Sequence, residues 1–204
     1  MLDAEFFRRW LLLSADLIDR DAAHLTELDS AIGDADHGSN LQRGFTAVRT
    51  ALEQESPATP GAVLMLAGRR LISTVGGASG PLYGTLLRRT GKELGESTEV
   101  SPGELGEALR AGVAAVAQLG GAKAGDKTML DSLEPAVAAL DDSSASFGAA
   151  REAAAKGTLA TVPLVARKGR ASYLGERSAG HEDPGAASSA LIIAALADTS
   201  EATK

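Results

Sequence analysis

Asp29-Ser30-Ala31-Ile32-Gly33-Asp34-Ala35-Asp36-His37-Gly38-Ser39-Asn40 gathers three aspartates, a histidine and two glycines into one short stretch. Its flanks decide the fold. Upstream, Phe6, Phe7, Trp10, Leu11, Leu13, Leu17 and Ile18 recur at helical spacing, with Arg8, Arg9, Asp16 and Asp19 between them. This predicts an amphipathic helix over Asp3 to Arg20 that extends through Leu25 towards Asp29. Downstream, Leu41, Phe45, Val48 and Leu52 mark a second helix starting near Ser39. The acidic stretch is therefore a junction between two helices.

The same reading continues along the chain. Glu55 to Pro60 is a polar, proline-bearing loop, and Pro60 opens a third helix, Gly61 to Thr74, in a favoured first-turn position. Gly76-Gly77-Ala78-Ser79-Gly80-Pro81 is too rich in glycine and proline for stable helix, yet a helical pattern resumes with Leu82, Tyr83, Leu86 and Leu87. Ser101-Pro102-Gly103-Glu104 is a capping box that starts a fifth helix through Leu105, Leu109, Val113 and Val116. A glycine-rich loop, Gly120 to Lys127, precedes a sixth helix marked by Leu130, Leu133, Val137 and Leu140, and an Ala-rich seventh runs from Phe147 to Leu164. Arg167 to Gly185, with three Arg and four Gly, reads as an ordered functional loop that Tyr173 and Leu174 could anchor. Asp183-Pro184 caps a last helix ending near Ala197, and Asp198 to Lys204 is expected to fray. No alternating strand pattern of useful length occurs, nor an internal repeat or low-complexity linker. The expectation is an all-α, single-domain antiparallel bundle or barrel of about eight helices spanning 1–204.

Chemistry concentrates in the opening stretch. Gly33 and Gly38 are expected to let the backbone turn sharply enough to bring Asp29 alongside Asp34 and Asp36. Clustered anionic oxygens repel one another unless a cation joins them. Mg²⁺ takes oxygen ligands and is commonly held by one or two carboxylates together with substrate phosphates. A metal–phosphate complex is thus the expected ligand, against the plainer reading of a capped acidic loop. An EF-hand is excluded, because no register supplies its fixed ligands and a Glu at the twelfth position.

Composition narrows the rest. Of 204 residues, 44% are hydrophobic but only 3% aromatic, so the core must be Leu, Ala, Val and Ile, and small side chains let helices pack closely. A net charge of −7 argues against non-specific binding to nucleic acid or an anionic membrane, both of which need a basic excess. The absence of cysteine excludes disulfides, thiol catalysis and Cys-based zinc sites. The acidic N-terminus and short Trp10 to Leu13 run give no signal segment or membrane span, so a cytoplasmic location is expected.

Four glycine-bearing loops precede helices: 29–40, 76–81, 120–128 and 167–185. Helix N-termini offer N–H groups and the positive end of a dipole to anions, and an up-and-down bundle would gather such loops at one end. Gly120 to Thr128 approaches a P-loop, but Asp126 interrupts Gly-Lys-Thr and no strand precedes it. Neither a GxGxxG fingerprint nor a GxSxG elbow is present. His37 reads as a phosphate or water contact or as a loop-packing histidine, and His181 as much the same. Arg177 fits a phosphate fork or a salt bridge with Glu176, Glu182 or Asp183. Ser79 fits a phosphate donor or a turn serine, whereas Met129 and Leu130 read as core before a nucleotide wall.

Taken together, Gly33–Gly38, Gly76–Thr85, Gly125–Asp131 and Gly169–Ser178 with His181–Gly185 closely resemble the L subunits of bacterial dihydroxyacetone kinases, in matching order from about Asp29 to Ala197. The resemblance implies a barrel of antiparallel helices with the nucleotide site in loops at one end. It implies that Asp29, Asp34 and Asp36 hold two Mg²⁺ ions bridging the phosphates of ADP or ATP. His37, Gly38, Ser39, Asn40, Ala78 and Ser79 match phosphate-side and nucleotide contacts. Gly120, Gly121, Met129, Arg177 and the turn Asp183-Pro184-Gly185 match the remaining pocket.

That family has two branches: fused kinases using exchangeable ATP, and free subunits in which ADP stays bound and is rephosphorylated by a phosphotransferase-system partner. A chain of 204 residues without a substrate-binding domain resembles the free form. So does His37, where the ATP-using branch often has Cys. The resemblance then implies a dihydroxyacetone-binding K subunit and an M-type histidine phosphocarrier as partners, leaves a homodimer open, and requires no covalent nucleophile. An ATP-exchanging subunit of a related dihydroxyacetone- or erythrulose-type kinase, and a nucleotide-sensing regulatory module, are the alternatives.

Overall fold

The computed structural model describes residues 1–140 and 146–202. Its elements are α1 (Ala4–Ile32), α2 (His37–Gln54), α3 (Pro60–Thr74), α4 (Ser79–Leu94), α5 (Pro102–Gly120), α6 (Leu130–Ala138), α7 (Phe147–Ala160), a 3₁₀ helix (Arg170–Ser178) and α8 (Pro184–Glu201). Each α-helix packs on the next in sequence, and α8 packs back on α1, so the eight close into a barrel. The closure is fixed by the indole of Trp10, fully buried, whose Nε1 donates to the carbonyl of Ile192 at 2.9 Å. Leu, Ala, Val and Ile make up most of the core, with Phe6, Phe7, Trp10, Phe45, Tyr83 and Phe147 as its aromatic members. Glycine sets the α3–α4 seam: a Cβ on Gly61 would lie 2.6 Å from the carbonyl oxygen of Gly91, and one on Gly84 2.8 Å from that of Gly68. The backbones touch there because no side chain intervenes.

Direction alternates strictly. Odd-numbered helices end, and even-numbered helices begin, at the pole where residues 29–37, 76–79, 120–130 and 183–185 meet. At the far pole, Leu2–Asp3 (β1) and Glu99–Val100 (β2) form a two-residue antiparallel pair, Leu2 opposite Val100. Such a pair is too short to leave an alternating pattern in the sequence. Phe6 and Phe147 stack there with ring centroids 6.3 Å apart, and Arg151 bonds Asp198 at 2.6 Å and Glu201 at 3.3 Å. Both Leu2 and Glu201 therefore lie at this pole.

Several boundaries differ from expectation. α2 starts at His37, two residues early, and α4 absorbs Ser79-Gly80-Pro81, because a proline in the first turn gives up only an N–H that had no helical partner. α7 stops at Ala160, before Pro163. The expected fraying from Asp198 is also corrected: α8 runs to Glu201, and the buried Thr199 hydroxyl donates to the Ala195 carbonyl at 2.7 Å. The last two residues of that expected tail, 203–204, lie outside the described residues.

Candidate functional site

The two poles are finished differently. At the far pole each helix start is capped by a side-chain oxygen: Asp3 for α1, Thr59 for α3, Ser101 with a full capping box for α5 and Ser146 for α7. At the near pole α2, α4 and α6 begin without a side-chain cap at Asp36, Ala78 and Met129, and only α8 is capped, by Asp183. All four of these starts line one cavity of about 290 Å³. Four positive dipole ends thus converge on a space large enough for a ligand, an arrangement suited to anions.

The aspartates line the same cavity, beside the start of α2. Asp29 belongs to the last turn of α1 and is buried, while Asp34 and Asp36 follow it in the exposed junction. One carboxylate oxygen from each lies within 4.8 Å of the others. Asp29 Oδ2 accepts from the backbone N–H groups of Asp36 (2.9 Å) and His37 (3.1 Å), which fixes the start of α2 against the end of α1. The sharp turn is made by Ala35, at φ 60°, a left-handed conformation that costs a non-glycine residue about 1–2 kcal/mol. The glycines serve close approach instead. A Cβ on Gly33 would fall 2.0 Å from Asp29 Oδ1, and one on Gly38 2.0 Å from the Ala22 carbonyl oxygen. Three carboxylates held this close by their own backbone suit a hard divalent cation, and Mg²⁺ fits the all-oxygen set.

A buried hydroxyl network backs the dipole ends. His37 Nε2 pairs with Ser188 Oγ at 2.8 Å and Nδ1 with Ser79 Oγ at 3.2 Å, joining α2, α8 and α4. Burial holds the imidazole below its ordinary pKa, against the pull of Asp29 and Asp36, and so favours the neutral ring. The Tyr83 hydroxyl meets Ser188 (2.6 Å), Ser189 (2.8 Å) and the Gly185 carbonyl (3.0 Å), and burial pushes its pKa well up. Asp183 accepts from the Ala186 N–H at 2.7 Å; its carboxyl, fully desolvated, is raised to about 7, and Asp131 adds to the rise.

Residues 31–198 match the model of the DAK2 domain. The chain belongs to the DAK2-domain family. It is 41% identical over 97% of both chains to the protein of Listeria innocua named PEP-dependent dihydroxyacetone kinase 1, ADP-binding subunit DhaL. It is 41% identical to the corresponding ADP-binding subunit of Escherichia coli, over 92% of this chain and 93% of that one. Among solved structures it resembles the dihydroxyacetone kinase of C. freundii in complex with AMP-PNP and Mg²⁺, with TM-score 0.76 and 28% identity. That match covers 94% of this chain but 33% of the longer kinase.

Of the residues singled out by sequence in this DAK2-domain chain, Asp29, Asp34, Asp36, His37, Ala78, Ser79, Gly120, Met129, Asp183, Pro184 and Gly185 line the cavity. Gly38, Ser39, Asn40, Gly121 and Arg177 do not. Gly38 is buried against α1, Ser39 donates to the Asp36 carbonyl, and Asn40 accepts from Arg43 at 2.6 Å. Gly121 is the left-handed cap of α5, and Arg177 is exposed on the 3₁₀ helix. The arginine that reaches the aspartates is Arg170, 3.0 Å from Asp34. Leu174 anchors the 3₁₀ helix in a small cluster with Ile32, Ala166 and Ala171. Tyr173 does not share that role, being 88% exposed. Lys127, Lys168 and Tyr83 also line the cavity. Lys127 carried a signal, since Gly-Asp-Lys-Thr drew attention as a broken P-loop; Arg170 and Lys168 were hidden among the charges of a long loop.

Proposed function

We propose that this chain is the nucleotide-binding subunit of a phosphoenolpyruvate-dependent dihydroxyacetone kinase. It would hold ADP or ATP with two Mg²⁺ ions. The phosphoryl group would pass from an M-type histidine phosphocarrier of the phosphotransferase system, through the nucleotide, to dihydroxyacetone on a separate K subunit, giving dihydroxyacetone phosphate. The observation that carries this reading is the trio of carboxylates within 4.8 Å of one another, in the lining of the cavity where the starts of four helices meet. Identity over 97% of both chains to an ADP-binding subunit, rather than to part of a fused kinase alone, supports the free-subunit form.

In this role Asp29, Asp34 and Asp36 are the metal-holding groups, and Mg²⁺ when bound supplies positive charge against phosphate oxygens. The start of α4 orients the phosphate chain with its N–H groups, and Ser79 there is held by His37. Leu82, Val116, Met129 and Leu130 give the cavity an apolar wall for the base. No side chain has to act as a covalent nucleophile, because phosphoryl transfer rests mainly on positioning and electrostatic stabilisation.

The test is reconstitution. The chain mixed with a K subunit, a phosphocarrier system, phosphoenolpyruvate and Mg²⁺ should yield dihydroxyacetone phosphate without added ATP. Bound nucleotide with no product in a mixture whose other components are active would instead identify a regulatory module. Dialysis against Mg²⁺ buffer separates the branches: a free subunit keeps its ADP, whereas rapid loss of ADP and direct use of ATP would mark an exchanging kinase subunit.

A further inference from the structure

Lys127 is 1% exposed, yet it is one of the residues that line the nucleotide cavity. A buried lysine beside an anion site invites the reading of a phosphate ligand. Its hydrogen bonds say otherwise. Nζ donates to the backbone carbonyls of Thr161 (2.8 Å), Leu164 (3.1 Å) and His181, with Val162 at 3.4 Å as a fourth, weaker acceptor. An ammonium has three donors, and here backbone oxygens take all of them. The acceptors come from the end of α7, where the negative pole of a helix dipole favours a cation, and from the turn before α8.

The backbone around Lys127 is shaped for this contact. The residue lies at φ 62°, a left-handed conformation that β-carbon sterics disfavour. On either side, Arg167 N–H donates to the Asp126 carbonyl (3.0 Å) and Gly180 N–H to the Val162 carbonyl (2.8 Å). Asp183 N–H donates to Thr161 Oγ1 (3.0 Å). One ammonium thus joins the loop before α6, the segment after α7 and the approach to Asp183-Pro184-Gly185. The first of these leads into Thr128-Met129-Leu130 and the last into Asp183-Pro184-Gly185, both on the cavity wall, while the segment after α7 lies behind them.

We propose that Lys127 is a positioning residue, which sets the α6 and α8 starts around the nucleotide through its carbonyl cage and makes no contact with phosphate. The ligand named here rests on the function proposed above. The two roles respond differently to substitution. Arg is a strong phosphate partner, so Lys127→Arg would preserve a direct phosphate contact. A planar guanidinium cannot occupy the carbonyl cage of a compact ammonium, so a positioning role would be lost.

The experiment measures binding of ADP and of adenosine, with Mg²⁺, to the wild type, Lys127→Arg and Lys127→Met. Both variants should weaken ADP and adenosine by the same factor, roughly 10–100-fold, as when supporting partners of liganding groups are removed. Hydrogen exchange without ligand should show protection lost at the amides of residues 167, 180 and 183 in both variants. ADP weakened alone, with Arg retaining wild-type affinity, would overturn the proposal in favour of a phosphate ligand. Unchanged affinity for both ligands in Lys127→Arg would overturn it as well. If Lys127→Met does not fold, Lys127→Arg keeps the comparison, since it retains the charge. Failure of the wild type to bind ADP would refute the proposed function, whereas unaltered exchange at those three amides would refute the clamp itself.

Discussion

Asp29 holds the start of α2, and under the proposed function the same carboxylate must also serve a metal. Oδ2 is spent on the N–H groups of Asp36 and His37, and Oδ1 lies where a Cβ on Gly33 would collide with it. Gly33→Ala therefore attacks the proposed metal site without touching a charge. We expect Mg²⁺ affinity, read by calorimetry, to fall roughly 10–100-fold, the scale for a displaced supporting contact. Asp183 offers a pH test. Its folded pKa of about 7 exceeds the ordinary carboxylate value, so the fold binds that proton more firmly than the unfolded chain does. The associated stability is present at low pH and is lost as pH rises through the window up to about 7. Asp183→Asn retains a capping oxygen for α8 and removes the titration. Relative to wild type, its urea stability should rise between about pH 5 and pH 7 by up to about 1.4 kcal/mol per unit. A flat difference would show that Asp183 does not titrate there.

Elements divide into those that hold the barrel and those that face the ligand. Ser101→Ala should cost about 1 kcal/mol in urea denaturation by removing the α5 cap, and leave nucleotide binding unchanged because that cap lies at the far pole. Gly38→Ala should be worse on both counts. Its Cβ would meet the Ala22 carbonyl, prise α2 from α1 and cost about 1–3 kcal/mol, while displacing the start of α2 from the cavity. The helices themselves were legible, because each buries one face and its apolar residues repeat accordingly. So were the aspartates, since their spacing along the chain is also their spacing in space. Gly33 and Gly38 were noticed but misread: close approach depends on a neighbour the sequence does not show, and Ala35 takes the left-handed turn. Arg170 escaped notice because its meeting with Asp34 depends on how residues 167–185 fold back over the end of α1. The buried cage of Lys127 was equally invisible, since its acceptors are backbone carbonyls that carry no residue signature.

At the scale of the molecule, a chain of net charge −7 binds an anion only if positive charge is supplied locally. Helix starts give part of it, and in the proposed function the carboxylate trio makes the rest conditional on metal. Chelation should therefore act on nucleotide and on stability together. With ADP and Mg²⁺ bound, addition of EDTA should release the nucleotide and lower the melting temperature to that of the ligand-free chain, by linkage of binding to folding. A melting temperature indifferent to EDTA would separate the metal from the ligand.

The pairing of β1 with β2 and the bonds of Arg151 to Asp198 and Glu201 lie at the pole where α1 starts and α8 ends, opposite the cavity. A handle joined near either end would consequently hang from the blunt side. Tethered that way to a sensor surface, the molecule would present its mouth outward, so soluble ligands and carrier proteins could be titrated against it without obstruction by the attachment.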